Sequence, residues 1–71
     1  FIVIVGDADH PEVIGLMGYA GKNGMIVSST DDVERIPRGK RLCVVAQTTQ
    51  NNAKYERMAE QIHERFPDAE I

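Results

Sequence analysis

Two runs constrain this chain more than anything else in it: residues 1–5 (FIVIV) and residues 42–46 (LCVVA) carry no charged or hydrogen-bonding polar side chain apart from one thiol. A strand with one face in water alternates apolar and polar residues, and these do not. They read as strands covered on both faces, which is the condition of a parallel sheet sandwiched between helices. Neither run approaches the roughly 20 apolar residues that a membrane-spanning helix needs, so no membrane association is expected.

Helical spacing fills the intervals. Pro11 suits a first helical position, and Val13, Leu16 and Met17 follow on one face. Gly18, Gly21 and Gly24 loosen and end that helix before a short strand at 25–27. Ser28 to Thr30 ahead of Asp31 and Asp32 resembles a capped helix start, closed by Pro37. After the second apolar run, Tyr55, Met58, Ala59, Ile62 and Phe66 form one stripe, stopped at Pro67-Asp68. Residues 69–71 look like the opening of a further strand. The alternation βαβαβαβ predicts an α/β fold, a small three-layer sandwich with a four-stranded parallel sheet in the order 2-1-3-4 and helices on both faces. All 71 residues are expected to form a single domain. The start on an apolar strand, without Met or a basic leader, suggests a segment of a larger protein rather than a secreted chain.

Composition excludes some partners. Net charge is −3, and the basic residues cluster only at Arg38, Lys40 and Arg41, in what reads as a turn. With two Tyr and two Phe there is no basic, aromatic face for nucleic acid. The lone Cys43 can close no internal disulfide and hold no metal cluster alone, which fits a reducing, cytoplasmic compartment. Its place in an apolar run predicts a core thiol.

In an open parallel sheet ligands bind beyond the carboxyl ends of the strands, where the strand order reverses. Here that point falls between the first and third strands, at the loops Gly6-Asp7-Ala8-Asp9-His10-Pro11-Glu12 and Gln47-Thr48-Thr49-Gln50. Each polar residue there has two readings. His10 can donate to a phosphate oxygen, or be a solvated loop residue. Glu12 can move a proton, or merely complement the helix dipole. Thr48 and Thr49 can bind oxygen, or cap the following helix. Asp7 and Asp9 can hold a divalent cation, or simply form a polar turn. His63 sits between apolar helix positions and is expected to face solvent. The glycines at 15, 18, 21 and 24 do not make a dinucleotide-binding fingerprint, and Gly15 and Gly18 are expected to let the first helix pack closely on the sheet.

His10-Pro11-Glu12-Val13 with Gly15, Met17 and Gly18 resembles a hallmark of the 4-hydroxy-3-methylbut-2-enyl diphosphate reductases, the LytB family. Gln47-Thr48-Thr49 after an apolar strand resembles the second hallmark, and Ser29-Thr30-Asp31-Asp32-Val33 the helix start between them. The resemblance covers essentially the whole chain, in order and spacing. It implies the middle one of three similar α/β domains around a 4Fe–4S cluster. The parent enzyme would reductively remove the hydroxyl of an allylic diphosphate, with electrons from ferredoxin or flavodoxin, to give isopentenyl and dimethylallyl diphosphates. By position, His10 matches the histidine that contacts the diphosphate and Glu12 the carboxylate that delivers protons. Thr48 matches the threonine that binds the substrate hydroxyl and joins the relay, with Gln47 and Thr49 in support.

The departures from the family pattern count equally. Cys43 matches none of the three cluster cysteines, so the ligands lie outside these residues, with no metal site inside them. The other phosphate-binding histidines and the Ser/Asn motif of the third domain are also absent. The isolated segment is expected to bind no cluster and turn over no substrate, its partners being the flanking domains of the same polypeptide. Two alternatives compete: a receiver-like signalling domain, which wants an Asp where Gln47-Thr48 stands, and a non-catalytic structural α/β domain.

Overall fold

The computed structural model describes residues 1–47 and 52–70. Three parallel strands, β1 (Ile2–Val5), β2 (Gly24–Val27) and β3 (Cys43–Ala46), form a sheet in the order β2-β1-β3. Three helices connect or follow them: α1 (Pro11–Ala20), α2 (Thr30–Val33) and α3 (Asn52–Arg65).

The register places Val3 beside Met25 and Val44, and Val5 beside Val27 and Ala46. Successive side chains of a strand point to opposite faces, so these residues line one face together. There they meet Val33 and Ile36 from the α2 region and Met58 and Ile62 from α3, in one buried core. Ile4 points the other way, into the layer that α1 forms over β1 and β2, where Val13 is fully buried. The result is three layers, as the two apolar runs imply.

Local chemistry ends the elements where the sequence suggests. Gly21 sits at φ 59°, closing α1 with its amide donating to the carbonyl of Met17, a backbone state that L-residues with a Cβ rarely adopt. Asp32 and Ser29 form a capping box at the start of α2. The helix stops at Val33, well before Pro37, because the chain tightens into i→i+3 bonds from the amides of Arg35 and Ile36 to the carbonyls of Asp32 and Val33. The stripe of α3 packs as expected, with Met58 and Ile62 buried and His63 exposed.

Three expectations need correction. The sheet has three strands among the described residues, not four: Glu70 makes a single parallel bridge to Cys43. The Val44 amide donates to the Glu70 carbonyl (2.7 Å) and the Glu70 amide to that of Leu42 (3.0 Å), at the edge where a fourth strand was expected. After the Pro67-Asp68 turn the chain reaches that edge only at Glu70, and one bridged residue is not a strand. Cys43 is exposed rather than core. Its side of the sheet is roofed by α1 over β1 and β2, so β3 is not covered on both faces: Val45, on the same side, stays half-buried. Finally, a Cβ at Gly15 or Gly18 would meet nothing within 4 Å. Close packing occurs instead at Gly24, where a Cβ would come 2.5 Å from that of Ala20, and at Gly6.

The carboxylate of Asp32 accepts from the backbone amides of Ser28 (3.0 Å) and Ser29 (3.2 Å) and from the Ser28 hydroxyl (3.2 Å). The Ser28 amide is the main cause holding its pKa below the ordinary 3.8. A depressed carboxylate contributes stability that is present above the unfolded pKa and lost as pH falls through the folded one. Asp32→Asn in the complete polypeptide should therefore lower local stability at neutral pH by about 0.5–1 kcal/mol, discounted for solvent access. The difference should shrink as pH falls below the ordinary carboxylate range and through the lowered folded pKa. Amide exchange of α2 in both proteins across that range checks it.

Candidate functional site

The carboxyl ends of β1 and β3 lie side by side, with Val5 opposite Ala46. The chain leaving β1 is held from both neighbours. The Gly6 amide donates to the Val27 carbonyl of β2 (3.1 Å), and the Gln47 amide donates to the Val5 carbonyl (3.1 Å). The Gln47 side chain turns back toward β1, and its Oε1 accepts from the Asp7 amide at 2.8 Å. Gln47 is 3% exposed, the one buried polar residue among those described.

From Asp7 the chain makes a tight turn, closed by the His10 amide donating to the Asp7 carbonyl (3.0 Å). Asp7, Ala8 and Asp9 are exposed on it. His10 is the N-cap of α1, in extended conformation (φ −75°, ψ 134°), and its Nδ1 accepts from the Glu12 amide at 3.1 Å. The His10 carbonyl takes the Ile14 amide (2.9 Å), the first bond of the helix. With Nδ1 accepting, the ring's other nitrogen, Nε2, carries the N–H in the neutral tautomer. His10 and Glu12 are both half-buried and lie within one turn at the mouth of α1.

The structure therefore brings together three of the residues singled out in the sequence, His10, Glu12 and Gln47, at neighbouring strand ends. Thr48 and Thr49 lie outside the described residues. Sequence reasoning missed the capping role of His10, since an aromatic nitrogen is an uncommon N-cap. It also missed Gly6, where a Cβ would overlap Gln47 Oε1 and come 2.7 Å from Val13 Cγ2. A glycine directly after a fully apolar strand is the signal that could have found it. A separate concavity between α2 and α3, lined by Thr30, Asp31, Glu34, Gln61, Glu64 and Arg65, contains none of these residues.

A family model described as LytB protein matches residues 1–71. The chain belongs to the LytB family. A LytB relative from Alkaliphilus oremlandii, named 4-hydroxy-3-methylbut-2-enyl diphosphate reductase, is 45% identical over 64 residues, covering 90% of this chain and 23% of its own. One of the same name from Citrifermentans bemidjiense is 58% identical over 50 residues, covering 70% of this chain and 18% of its own. Among solved structures, the E-1-hydroxy-2-methyl-but-2-enyl-4-diphosphate reductase of Plasmodium falciparum superposes with a TM-score of 0.91 at 31% identity, over 97% of this chain and 22% of that one. This LytB chain thus spans less than a quarter of the length of these relatives.

The iron–sulfur cluster implied by the family does not fit the residues present. Cys43, the only cysteine, begins β3, at the end of the strand opposite the crevice. Among the described residues no group of three His, Cys, Asp or Glu is placed to hold a metal ion. No described helix is long and apolar enough to cross a membrane.

The N-cap geometry makes a prediction that separates two roles of His10. In the complete polypeptide, His10→Ala should weaken the first turn of α1 by about 1 kcal/mol, whereas His10→Asn, a strong N-cap, should keep it. Amide exchange at Glu12 and Val13 is the measurement, and equal protection in both variants would deny the cap any role.

Proposed function

We propose that this chain is one α/β domain, among three similar ones, of a cytoplasmic iron–sulfur reductase that converts 4-hydroxy-3-methylbut-2-enyl diphosphate to isopentenyl and dimethylallyl diphosphates. The names of its relatives supply the substrate class. The observation that carries the residue assignment is the pairing of His10 and Glu12 in the first turn of α1, beside the exit of β3 at Gln47.

Losing the allylic hydroxyl as water consumes two electrons and two protons. A 4Fe–4S cluster held by three cysteines in other parts of the polypeptide would supply the electrons, with ferredoxin or flavodoxin as their source. The protons are the task of this domain. Glu12 delivers one to the departing oxygen, so that water rather than hydroxide leaves, and supplies the allylic carbon through the same relay. Thr48, the residue after Gln47, accepts from and donates to the substrate hydroxyl and links it to Glu12. His10, with Nε2 as donor, binds a diphosphate oxygen, and the start of α1 adds its dipole. Gln47 and Thr49 flank the relay.

Flanking parts of the same polypeptide are the natural cover for the open face of β3 and for Ile14 and Tyr19 of α1, which are 56% and 94% exposed. The relatives extend well beyond the matched segment, which supports that reading. The receiver-like alternative lacks an acidic residue after β3, where Gln47 stands.

In the complete enzyme, Glu12→Gln should slow single-turnover chemistry by about 10²–10⁴-fold, roughly 3–5 kcal/mol, while leaving substrate affinity nearly intact. Thr48→Val should slow the same step, and the double variant should lose little more than Glu12→Gln alone, because members of one relay are not additive. His10→Asn, which retains the cap, should instead weaken binding of the diphosphate. Near-normal chemistry in Glu12→Gln would return that carboxylate to a helix-dipole role.

A further inference from the structure

We infer that Gln47 is a positioning residue: its carboxamide holds the β1–α1 turn, and with it His10 and Glu12, in place at the carboxyl ends of β1 and β3. The inference rests on the proton-delivery reading of Glu12 proposed above, and adds what holds that residue in place.

The bonds form a continuous string. Gln47 Oε1 accepts from the Asp7 amide, the Asp7 carbonyl accepts from the His10 amide, and His10 Nδ1 accepts from the Glu12 amide, at 2.8, 3.0 and 3.1 Å. The Gln47 amide is itself fixed on the Val5 carbonyl. One residue therefore holds the chain leaving β1 twice, once by its backbone at Val5 and once by its side chain at Asp7, on either side of Gly6. The covalent chain continues from it directly to Thr48. A displacement of the carboxamide would release the turn that carries His10 and Glu12.

Gly6 supports this reading independently. A Cβ there would overlap the very Oε1 that holds Asp7, and would press on Val13 of α1 at 2.7 Å. The first residue after β1 is thus kept bare for the Gln47 side chain. Every buried side-chain polar atom among the described residues has a hydrogen-bond partner, and at 3% exposure the Gln47 carboxamide is packed as part of the scaffold. The sequence alone, with Gln47 next to two threonines, suggests a side chain turned toward substrate. The fold turns its oxygen to the backbone instead.

The test uses the complete reductase with Gln47→Leu, which removes the acceptor at similar size, Gln47→Glu, which keeps an oxygen at the same reach, and Gly6→Ala, which crowds the oxygen from the other side. Gln47→Leu and Gly6→Ala should each slow single-turnover chemistry by about 10²-fold, the scale of a misplacement near 1 Å. Affinity for the allylic diphosphate should fall with it, since His10 rides on the same turn, and the Asp7 amide should exchange at least about 10-fold faster. Gln47→Glu should recover most of both losses. In a Glu12→Gln background, Gln47→Leu should add little, since it acts through Glu12. Lost affinity with unchanged Asp7 exchange would overturn the inference and make Gln47 a ligand contact. A fully additive loss in the Glu12→Gln background would also overturn it, leaving a general structural role. Failure of the proton-delivery reading would be seen separately, as normal turnover in Glu12→Gln alone.

Discussion

A strand that is hydrogen-bonded along both edges and covered on both faces can be left by its chain only at its ends, and β1 is such a strand. Val3, Ile4 and Val5 have no exposed surface, and each of the residues from Ile2 to Val5 has a partner on both β2 and β3. Burying three aliphatic side chains completely is worth on the order of 1.5–3 kcal/mol each, so the register of the whole sheet is tied to this segment. A slip by one residue would turn the Val3 and Val5 face away from Met58 and Ile62 and toward α1. Everything polar in the proposed site hangs from the carboxyl end of that strand. The Gly6 amide bonds to β2, the Asp7 amide to Gln47 beyond β3, and the turn that follows ends in the cap of α1.

That arrangement explains how so small an element can hold a precise site. The turn from Asp7 to His10 is exposed, and an exposed turn on its own is mobile. Its two ends are not free to drift, since one is bonded to the buried carboxamide of Gln47 and the other is the N-cap of a helix packed on the sheet. Proton transfer over a short relay tolerates little error in distance. The bonds through Gln47 tie the turn that carries Glu12 to the ends of β1 and β3.

The parts of the fold legible in the sequence were those where burial is uniform along an element. The run at 1–5 and the stripe from Tyr55 to Phe66 report their surroundings directly, and both took the expected place. Cys43 shows the limit: it sits in an equally apolar run, but α1 roofs only two of the three strands, and nothing in the run itself records which strand is left open. Gly15 and Gly18 mislead for a related reason. Helical glycines suggest close approach, yet both lie on the outer side of α1, while the crowded positions are Gly6 and Gly24 at strand ends. In the site, the topology alone pointed to the loops after β1 and β3, of which the structure describes the first and, in the second, Gln47. The assignment of His10, Glu12 and Thr48 to separate roles came from the family resemblance, and the tie through Gln47 needed coordinates, because a side chain's choice between ligand and backbone is not written in its neighbours.

The claim that the site lies at the paired exits of β1 and β3 is tested most directly by a crystal structure of the complete reductase with the allylic diphosphate bound. The account predicts His10 Nε2 about 3 Å from a diphosphate oxygen and the Glu12 carboxylate in reach of the leaving hydroxyl, directly or through Thr48. In the same structure the Asp7 amide should remain on Gln47. A substrate seated elsewhere, with Glu12 directed to solvent and the turn released from Gln47, would contradict it.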